Sequence, residues 1–452
     1  MSCEQGSYAP ECAAEWKKPS VESLTSPEKI SKQETAQIAK EIRGITLTLR
    51  EQTFVEDLPT DLAEPLGEKE SPGPWSTYYY PTRCCNSEHG LCSVCGYTTL
   101  RKDISNEEIV ASNQVKTEEI LGDFKKNVID RQYGKMANVG GVENPVGLTM
   151  SPTGSFFAEN EFPMTDRIQL LQRILEESQN HEVDLVFTAE AHARDVVKKS
   201  KTDYFEWGQG REEAELLRSL HAQIILGFES QNDFVRNGIY SKNLNLRDFD
   251  QAVQALQEQD LSVGAFVFGG LAPMTDLESK QDILESIKYL HEKGVFPVTM
   301  FANIQPNTIT DVLRENDRYK MLEPFTVADT IDEMLTLITI DNEDANWLIP
   351  DPVGGPPEPV HNIFLGRLDA ASSEKTNIAL RDMLYELRNT RDIKTYQDKL
   401  AELRQTNEYK NYQEVLNQQQ EATEGKSLLV RTQEMLDFLK KSRAVENYLT
   451  NE

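Results

Sequence analysis

Residues Gln223-Ile-Ile-Leu-Gly-Phe-Glu229 form a short apolar run that ends in a carboxylate, and runs of this kind decide the fold. The run is too short for an independent helix, it is rich in β-branched and aromatic side chains, and a helical pattern over 246–257 follows it. Similar runs alternate with helical stretches from about residue 74 to 310, which is typical of strand–helix units and a parallel sheet. The six predicted strands are 76–82, 145–150, 183–188, 223–229, 261–271 and 296–303.

The signals for helix starts agree with this alternation. One helix is predicted over 165–178, opened by Thr165-Asp166. Another is predicted over 246–257, where Asn245 and Asp248 are spaced as in a capping box, with Asp in place of the usual Glu or Gln. Six strand–helix units do not reach the eight of a closed barrel. We therefore expect an α/β fold, a partial (βα)6 barrel-like parallel sheet.

Composition divides the chain into three regions. Residues 1–70 read as an N-terminal extension with one amphipathic helix, which is predicted to begin at Ser26-Pro27. Residues 71–325 hold the partial barrel. Residues 326–452 form a C-terminal region with a Pro- and Gly-rich connector at 350–359, helices over 380–405 and 428–438, and a polar turn or hinge at 417–425. The apolar face of the N-terminal helix is predicted to carry Ile38, Ile42, Ile45 and Leu49.

Charge and cysteine usage limit the function classes. The net charge of -28, from 47 Lys and Arg against 75 Asp and Glu, disfavours broad, unaided binding of nucleic acid. Six clustered cysteines do not resemble a secreted disulfide framework, and we find neither a targeting segment nor an apolar stretch long enough to span a membrane. A cytoplasmic protein is expected. The sequence contains no motif that indicates a hydrolase or a nucleoside triphosphatase.

A cysteine loop follows the first predicted strand directly: Cys85-Asn-Ser-Glu-His-Gly-Leu-Cys92-Ser-Val-Cys95. Four nearby thiols and His89 are enough for a small zinc knuckle. Alternatively, three thiolates hold an iron–sulfur cluster and leave one iron open. The loop lies at the predicted carboxyl end of a strand, where parallel-sheet enzymes place their chemistry, and this position favours the iron–sulfur interpretation.

The sequence also resembles a known family. Thr82-Arg-Cys-Cys85 followed by Cys92-Ser-Val-Cys95-Gly-Tyr97 is similar to the cluster loop of radical S-adenosylmethionine enzymes, in the branch of the archaeosine synthase radical subunit and the Elongator catalytic subunit. The resemblance covers roughly residues 70 to 325. It continues through Leu226-Gly-Phe-Glu-Ser230, Asn232-Asp-Phe-Val-Arg236, Ser241-Lys-Asn-Leu-Asn-Leu-Arg-Asp-Phe249 and Asn303-Ile-Gln-Pro-Asn-Thr308.

This resemblance implies a [4Fe-4S] cluster and S-adenosylmethionine as cofactors. Cys85, Cys92 and Cys95 would bind the cluster, with Cys84 as the alternative first ligand. His192 stands where the family has an Arg, so the cofactor carboxylate is expected to meet Arg194 or Arg236. The residues implied to contact S-adenosylmethionine are Tyr97, Gly154, Ser155, Glu190, Glu229, Ser230 and Arg236, and those implied to contact substrate are Lys242 and Gln305.

The expected reaction is removal of a hydrogen atom from an unidentified substrate, of carbon–nitrogen lyase, transferase or tRNA-base modification type. The expected partners are an electron donor such as a flavodoxin or ferredoxin, a small-molecule or tRNA-linked substrate, and a protein at the C-terminal helices. The competing hypothesis is a non-catalytic, zinc-stabilised protein that recruits a partner through an acidic helical tail.

Overall fold

The fold is described here from a computed structural model of the chain. The described residues are 30–51, 75–80, 111, 118, 121–122, 146–152, 155–160, 162–199, 205–208, 210–302, 304, 308–337, 370–390 and 392–442. The predictions for Cys84, Cys85, Cys92, Cys95, Tyr97, Gly154, Gln305 and the connector at 350–359 lie outside these residues.

A parallel sheet of six strands forms the centre of the fold. Each strand pairs in parallel with its neighbour, in the order β1-β2-β3-β6-β7-β8. The spatial order of the strands follows the chain order, and the sheet curls into a half-barrel with the described connecting helices on one face. The expected partial barrel is confirmed. The strands are β1 (Trp75–Tyr80), β2 (Val146–Pro152), β3 (Leu185–Ala191), β4 (Val197–Lys199), β5 (Phe205–Trp207), β6 (Gln223–Glu229), β7 (Ser262–Gly269) and β8 (Phe296–Phe301).

The strands that the apolar runs predicted are present, with ends that move by one to three residues, except both ends of β6 and the start of β8. The antiparallel hairpin of β4 and β5 was not predicted. Its two strands have three residues each, too short for the alternation to show in the sequence. Trp207 at its base packs edge-on against Phe157, in the segment that follows β2, with 5.6 Å between the ring centroids.

The helices, in chain order, are α1 (Lys32–Glu51), α2 (Met164–Asn180), α3 (Ala193–Val196), α4 (Arg211–Ser219), α5 (Leu246–Gln257), α6 (Asp276–His291), α7 (Ile309–Glu315), α8 (Pro324–Leu337), α9 (Glu374–Thr390), α10 (Ile393–Leu403), α11 (Asn407–Thr423) and α12 (Leu428–Lys441). A π-helical segment, Phe234–Ile239, lies between β6 and α5. Among the helices of the described ranges, none has both the length and the hydropathy that crossing a bilayer requires.

The cap of α5 is confirmed in an altered form. Asn245 Oδ1 accepts a hydrogen bond from the Asp248 amide at 2.8 Å, and the reciprocal contact is made by the Asn245 side-chain amide, which donates to Asp248 Oδ2 at 2.7 Å. Helix α2 begins one residue before the predicted opening, after Pro163.

Helix α1 confirms its predicted apolar face but not its start. Ile38, Ile42, Ile45 and Leu49 are all buried. Residues 30 and 31 precede the helix, so the predicted start at Ser26-Pro27 is wrong. Ser31 forms a capping box instead: the Glu34 amide donates to Ser31 Oγ, and the Ser31 amide donates to Glu34 Oε2 at 2.8 Å.

The C-terminal helices differ from the prediction in two places. The predicted helix over 380–405 is two helices, since Asp392 caps α10 by accepting from the Thr395 amide at 2.9 Å. The predicted polar turn at 417–425 is wrong because α11 continues to Thr423. Gln419 in this part of α11 bonds through its side chain to both the backbone amide and the carboxylate of Asp276. These contacts fix α11 to the start of α6.

The two ends of the described chain meet beside the sheet. The apolar face of α1 shares a cluster with the π-helical segment, α7 and α12, in which Met435, Leu436 and Leu439 are buried. Lys440 of α12 pairs with Glu41 of α1 at 2.8 Å. Arg431 of α12 donates to the carbonyl of Pro273, which follows β7, and pairs with Glu278. Both ends therefore pack near the carboxyl end of the sheet.

Candidate active site at the carboxyl edge of the sheet

The two faces of the sheet can be told apart on β6. Leu226 and Phe228 point to the helical layer, where the Phe228 ring packs on Phe249 of α5 and Tyr289 of α6. Gly227 therefore belongs to the opposite, inner face. On β3, Phe187 and Ala189 join the helical core, so Glu190 belongs to the inner face as well. Glu190 and Gly227 thus share the inner face near the carboxyl ends of two neighbouring strands, β3 and β6.

Glu229 forms a buried ion pair with Lys242. The Lys242 Nζ atom lies 2.7 Å from Glu229 Oε1, and the two side chains are 7% and 6% exposed. The Tyr240 ring lies 5.9 Å from the same ammonium. Glu229 was predicted to contact S-adenosylmethionine and Lys242 to contact substrate, so the structure brings two predicted site residues into direct contact with each other.

Backbone geometry at three positions supports this pair. Glu229 has φ of 73° and follows a bulge in the pairing of β6 with β7, while Ser241 and Asn243, on either side of Lys242, have φ of 61° and 55°. A Cβ atom at Gly227 would lie 2.3 Å from Lys242 Nζ. A side chain at position 227 would therefore displace the lysine ammonium from its present place on the inner face. Left-handed conformations at non-glycine residues cluster at functional sites.

Arg236 holds the segment between β6 and α5 together. Its guanidinium, 1% exposed, donates to the carbonyl groups of Ser230, Gln231 and Leu244 and to the Asp233 carboxylate, at 2.7 to 3.1 Å. Burial lowers the pKa of Arg236 from its ordinary value, and the charge of Asp233 opposes this shift. The donors of Arg236 are used inside the protein, so the predicted contact with the cofactor carboxylate gains no support from its surroundings.

Ser230 has a similar internal role. Its hydroxyl donates to Asp282 Oδ1 at 2.8 Å and accepts from the Asn232 amide at 2.9 Å. Burial raises the pKa of Asp282 to about 7, opposed by the hydrogen bond from Ser230. The side chain thus ties the end of β6 to α6.

Ser155 ties the segment after β2 to the end of β3. Its buried Oγ accepts from the His192 amide at 3.0 Å, and the Phe156 amide donates to the Glu190 carbonyl at 2.9 Å. His192 Nδ1 accepts from the Arg194 amide at 3.2 Å, which places the proton of a neutral imidazole on Nε2. The first two of these bonds join the loop after β2 to the end of β3. The predicted site residues Ser155 and Glu190 are therefore close together at the same edge of the sheet. Arg194 lies 3.4 Å from Asp248.

The sequence interpretation missed Gly227, Ser241, Asn243 and Asp282 as parts of the site. A glycine inside an apolar strand was the available signal for Gly227, because such a glycine often marks a bulge or a close approach. Among the described residues, no group of three or more His, Cys, Asp or Glu side chains is arranged to hold a metal ion.

Comparison with known proteins supports a remote relationship. No protein-family model matches the chain. The archaeosine synthase subunit beta of Thermococcus kodakarensis is 22% identical over 231 residues, which make up 51% of this chain and 61% of that relative. The chain therefore matches less than two thirds of the relative's length.

Solved structures give weaker similarities. The archaeal Elp3 of Methanocaldococcus infernus, with an N-terminal deletion, has 11% identity, coverage of 64% of this chain and 62% of that chain, and a TM-score of 0.36. The radical S-adenosylmethionine enzyme HemN, a coproporphyrinogen III oxidase of Escherichia coli, has 14% identity, coverage of 64% and 60%, and a TM-score of 0.31. The fold assignment rests on the strand order of this chain itself.

Proposed function

We propose that this chain, a radical S-adenosylmethionine protein related to archaeosine synthase subunit beta, is an enzyme that removes a hydrogen atom from its substrate. The cofactors would be a [4Fe-4S] cluster and S-adenosylmethionine. Bound together and supplied with an electron, they provide a 5'-deoxyadenosyl radical, and the protein contributes position and exclusion of water.

The cluster would be held by Cys85, Cys92 and Cys95, with Cys84 as the alternative first ligand. Three thiolates in one loop suit a cluster that keeps one iron for another ligand. Strand β1 ends at Tyr80, at the carboxyl end of the sheet, and Cys85 follows five residues later in the sequence. Glu190, Glu229 and Lys242 lie toward that same end, and this coincidence is the observation that carries the proposal.

S-adenosylmethionine would contact Glu190 and the loop that carries Gly154 and Ser155, with Tyr97 beside the cluster. The Glu190 carboxylate can accept hydrogen bonds from an amino group or from ribose hydroxyls. The bond of Ser155 to the His192 amide supports this placement, since it holds the loop after β2 against the end of β3. We assign Ser230 and Arg236 to the support of the site, because their polar atoms are used by the segment that carries Glu229 and Lys242.

The proposed substrate is a tRNA-linked base or a small molecule, and the proposed reaction is of the carbon–nitrogen lyase or transferase type. The relative is named as a subunit of archaeosine synthase, which favours the tRNA-linked base. The net charge of -28 opposes unaided RNA binding, so a tRNA substrate would need a partner subunit as well as an electron donor such as a flavodoxin or ferredoxin. Gln305 is proposed to orient the substrate.

Iron analysis tests this function. Anaerobically reconstituted protein is expected to hold about four irons and four sulfides per chain, as a [4Fe-4S] cluster requires. Cys85→Ala, Cys92→Ala and Cys95→Ala should each lose most of this iron, while the neighbouring Cys84→Ala keeps it. One bound zinc and no iron would support the structural zinc alternative and refute the proposal.

The zinc alternative also assumes an acidic helical tail. This assumption is weak, because the number of Lys and Arg residues nearly equals the number of Asp and Glu residues between 369 and 452.

A further inference from the structure

The loop that follows β7 lies at the carboxyl end of the sheet. It consists of residues 270–275 and connects β7 to α6. The Met274 amide donates to the Leu271 carbonyl at 2.8 Å, which closes a turn inside the loop. The Tyr319 hydroxyl donates to the Gly270 carbonyl at 2.7 Å and holds the first residue of the loop. The loop after β7 therefore borders the end of the sheet to which the proposed function assigns the cofactors.

A buried arginine of the C-terminal helix α12 holds the other half of this loop. Arg431, in the first turn of α12, has a side chain that is 7% exposed. Its guanidinium donates to the Pro273 carbonyl at 2.8 Å and pairs with the Glu278 carboxylate of α6. The other oxygen of Glu278 accepts from the Thr275 amide at 2.8 Å, as part of the capping box of α6. Arg431 thus bonds to the loop directly and, through Glu278, to its last residue.

We propose that Arg431 is a positioning residue for the reaction site: it holds the loop after β7 in the conformation that binds S-adenosylmethionine. The inference rests on the proposed function, because it takes the carboxyl end of the sheet as the binding site. It also assigns a role to the C-terminal region, since Arg431 lies outside residues 70–325, over which the sequence resembles the radical S-adenosylmethionine enzymes.

The width of the sheet allows one cofactor molecule to reach this loop. Glu190, at the end of β3, is proposed to bind S-adenosylmethionine, and only β6 lies between β3 and β7. Neighbouring strands are about 4.8 Å apart, so the ends of β3 and β7 are separated by roughly 10 Å. S-adenosylmethionine carries its amino-acid and adenosine parts on opposite sides of the sulfonium, and an extended molecule covers this distance. The loop after β7 is therefore within reach of the end of the cofactor that lies away from Glu190.

Packing alone does not account for Arg431. Met435, Leu436 and Leu439 of the same helix are buried and already anchor α12 by apolar contacts. The Nε atom of Arg431 is buried and has no hydrogen-bond partner among the described residues, which is unfavourable for a donor. A buried ion pair is itself weak evidence for a stabilising role. What the pair provides is orientation, because a planar guanidinium that bonds a carbonyl and a carboxylate fixes their relative position.

Hydrogen exchange of the full-length protein, with its cluster reconstituted, tests this role without relying on catalysis. In the wild-type protein, S-adenosylmethionine is expected to slow exchange over 269–276. Arg431→Gln should speed exchange of this segment and lessen its protection by S-adenosylmethionine, because the loop loses its bond at Pro273. Arg404→Gln is the matched control: it breaks a partly buried ion pair with Asp329 of α8 and should leave exchange over 269–276 unchanged.

Steady-state release of 5'-deoxyadenosine separates positioning from stability. Arg431→Gln should raise KM for S-adenosylmethionine by about fivefold or more, with kcat changed by less than about twofold. A purely structural role instead reduces the folded fraction, which lowers kcat and leaves KM unchanged. Arg431→Lys keeps the charge but lacks the planar fork, so its KM should lie between those of the wild-type protein and Arg431→Gln. Arg404→Gln should keep the wild-type KM.

Three results overturn the inference: no protection of 269–276 by S-adenosylmethionine in the wild-type protein, an unchanged KM in Arg431→Gln, or an equal rise of KM in Arg404→Gln. If Arg431→Gln does not fold, Glu278→Gln decides, because it keeps an acceptor for the Thr275 amide and loses the charge that binds Arg431; an unchanged KM in this variant then overturns the inference. Cleavage of S-adenosylmethionine by the wild-type protein with an unchanged KM in the variant refutes only this inference. Protection of 269–276 that depends on Arg431, without release of 5'-deoxyadenosine, refutes only the proposed function.

Discussion

Gly227→Ala tests whether the ion pair occupies the inner face as the structure indicates. The new methyl group would lie 2.3 Å from Lys242 Nζ and 3.1 Å from Glu229 Oε1, closer than any normal contact. The lysine must move away by about 1.2 Å or more, because carbon and nitrogen need roughly 3.5 Å. This movement separates the ammonium from the carboxylate that now lies 2.7 Å away.

The expected loss follows from Coulomb's law. With an effective dielectric constant of about 20, the attraction is about 6 kcal/mol at 2.7 Å and about 4 kcal/mol at roughly 3.9 Å, a loss of about 2 kcal/mol. Replacing glycine by alanine inside a strand returns about 0.5–1 kcal/mol. We therefore expect Gly227→Ala to lower the free energy of unfolding by about 1 to 1.5 kcal/mol, as measured by urea denaturation followed by circular dichroism.

Two further variants make the measurement decisive. Gly44→Ala in α1, where nothing lies within 4 Å of the added carbon, should instead stabilise the protein by about 0.5–1 kcal/mol. In a Lys242→Ala background the steric conflict disappears, so Gly227→Ala should become neutral or stabilising. Equal effects of the substitutions at 227 and 44, or an undiminished loss in the Lys242→Ala background, would refute this geometry.

Three other perturbations examine the support of the site. Arg236→Lys keeps the charge but cannot bond three carbonyl groups and a carboxylate at once. It should therefore lower the free energy of unfolding by about 2–4 kcal/mol and speed hydrogen exchange over 230–245. Normal exchange there would contradict the role of Arg236. Asp282 has a folded-state pKa of about 7, above its ordinary 3.8, so the folded protein binds its proton more tightly and stability should fall as pH rises from about 4 to 7. Asp282→Asn still accepts from Ser230 and should flatten the dependence of stability on pH between 4 and 7. Glu285 and Arg236, the other charges that shift this pKa, are left unchanged in this variant. An unaltered slope from pH 4 to 7 would show that Asp282 is not the group responsible. Ile42→Ala, at a fully buried position in α1, should lower the free energy of unfolding by about 2–5 kcal/mol. Leu47→Ala, at a position that is 37% exposed on the same helix, should lower it by less than about 1 kcal/mol. Similar values for the two variants would mean that α1 does not pack as described.

The sequence predicted the central fold because its strands are nearly continuous apolar runs. Strand β6 has the predicted ends, and so does α5, whose cap is formed by Asn245 next to the first turn. Local signals of this kind are complete within a few residues. The start of α1 was misplaced because Ser26-Pro27 is also a good local signal, while the bonds between Ser31 and Glu34 decide the observed start.

The polar composition of residues 417–425 led to the wrong prediction of a turn within a C-terminal helix. Residues 417–423 are rich in Gln and Glu, which are strong helix formers, and Tyr412, Leu416 and Gln419 supply the buried contacts that make α11 a packed helix. Their partners lie on α6 and α8, more than eighty residues earlier in the chain. No local pattern could indicate those partners.

The candidate site was predicted as a set of residues but not as an arrangement. Glu190, Glu229 and Lys242 were chosen from strand ends and family resemblance. The pairing of Glu229 with Lys242 depends on a bulge and on three residues with left-handed backbone. Apart from the glycine at 227, no local sequence signal indicates these features. The use of Ser230 and Arg236 inside the protein depends on Asp282 and on carbonyl groups, which sequence motifs do not reveal.

Formation of 5'-deoxyadenosine is the most direct test of the central claim, that this partial barrel carries radical chemistry at the carboxyl end of its sheet. Reduced protein, prepared without oxygen and given S-adenosylmethionine, is expected to produce 5'-deoxyadenosine over many minutes, and Cys92→Ala with unchanged circular dichroism is expected to produce none. Equal amounts from both proteins, or none from a fully iron-loaded and reduced wild-type protein, would contradict the account.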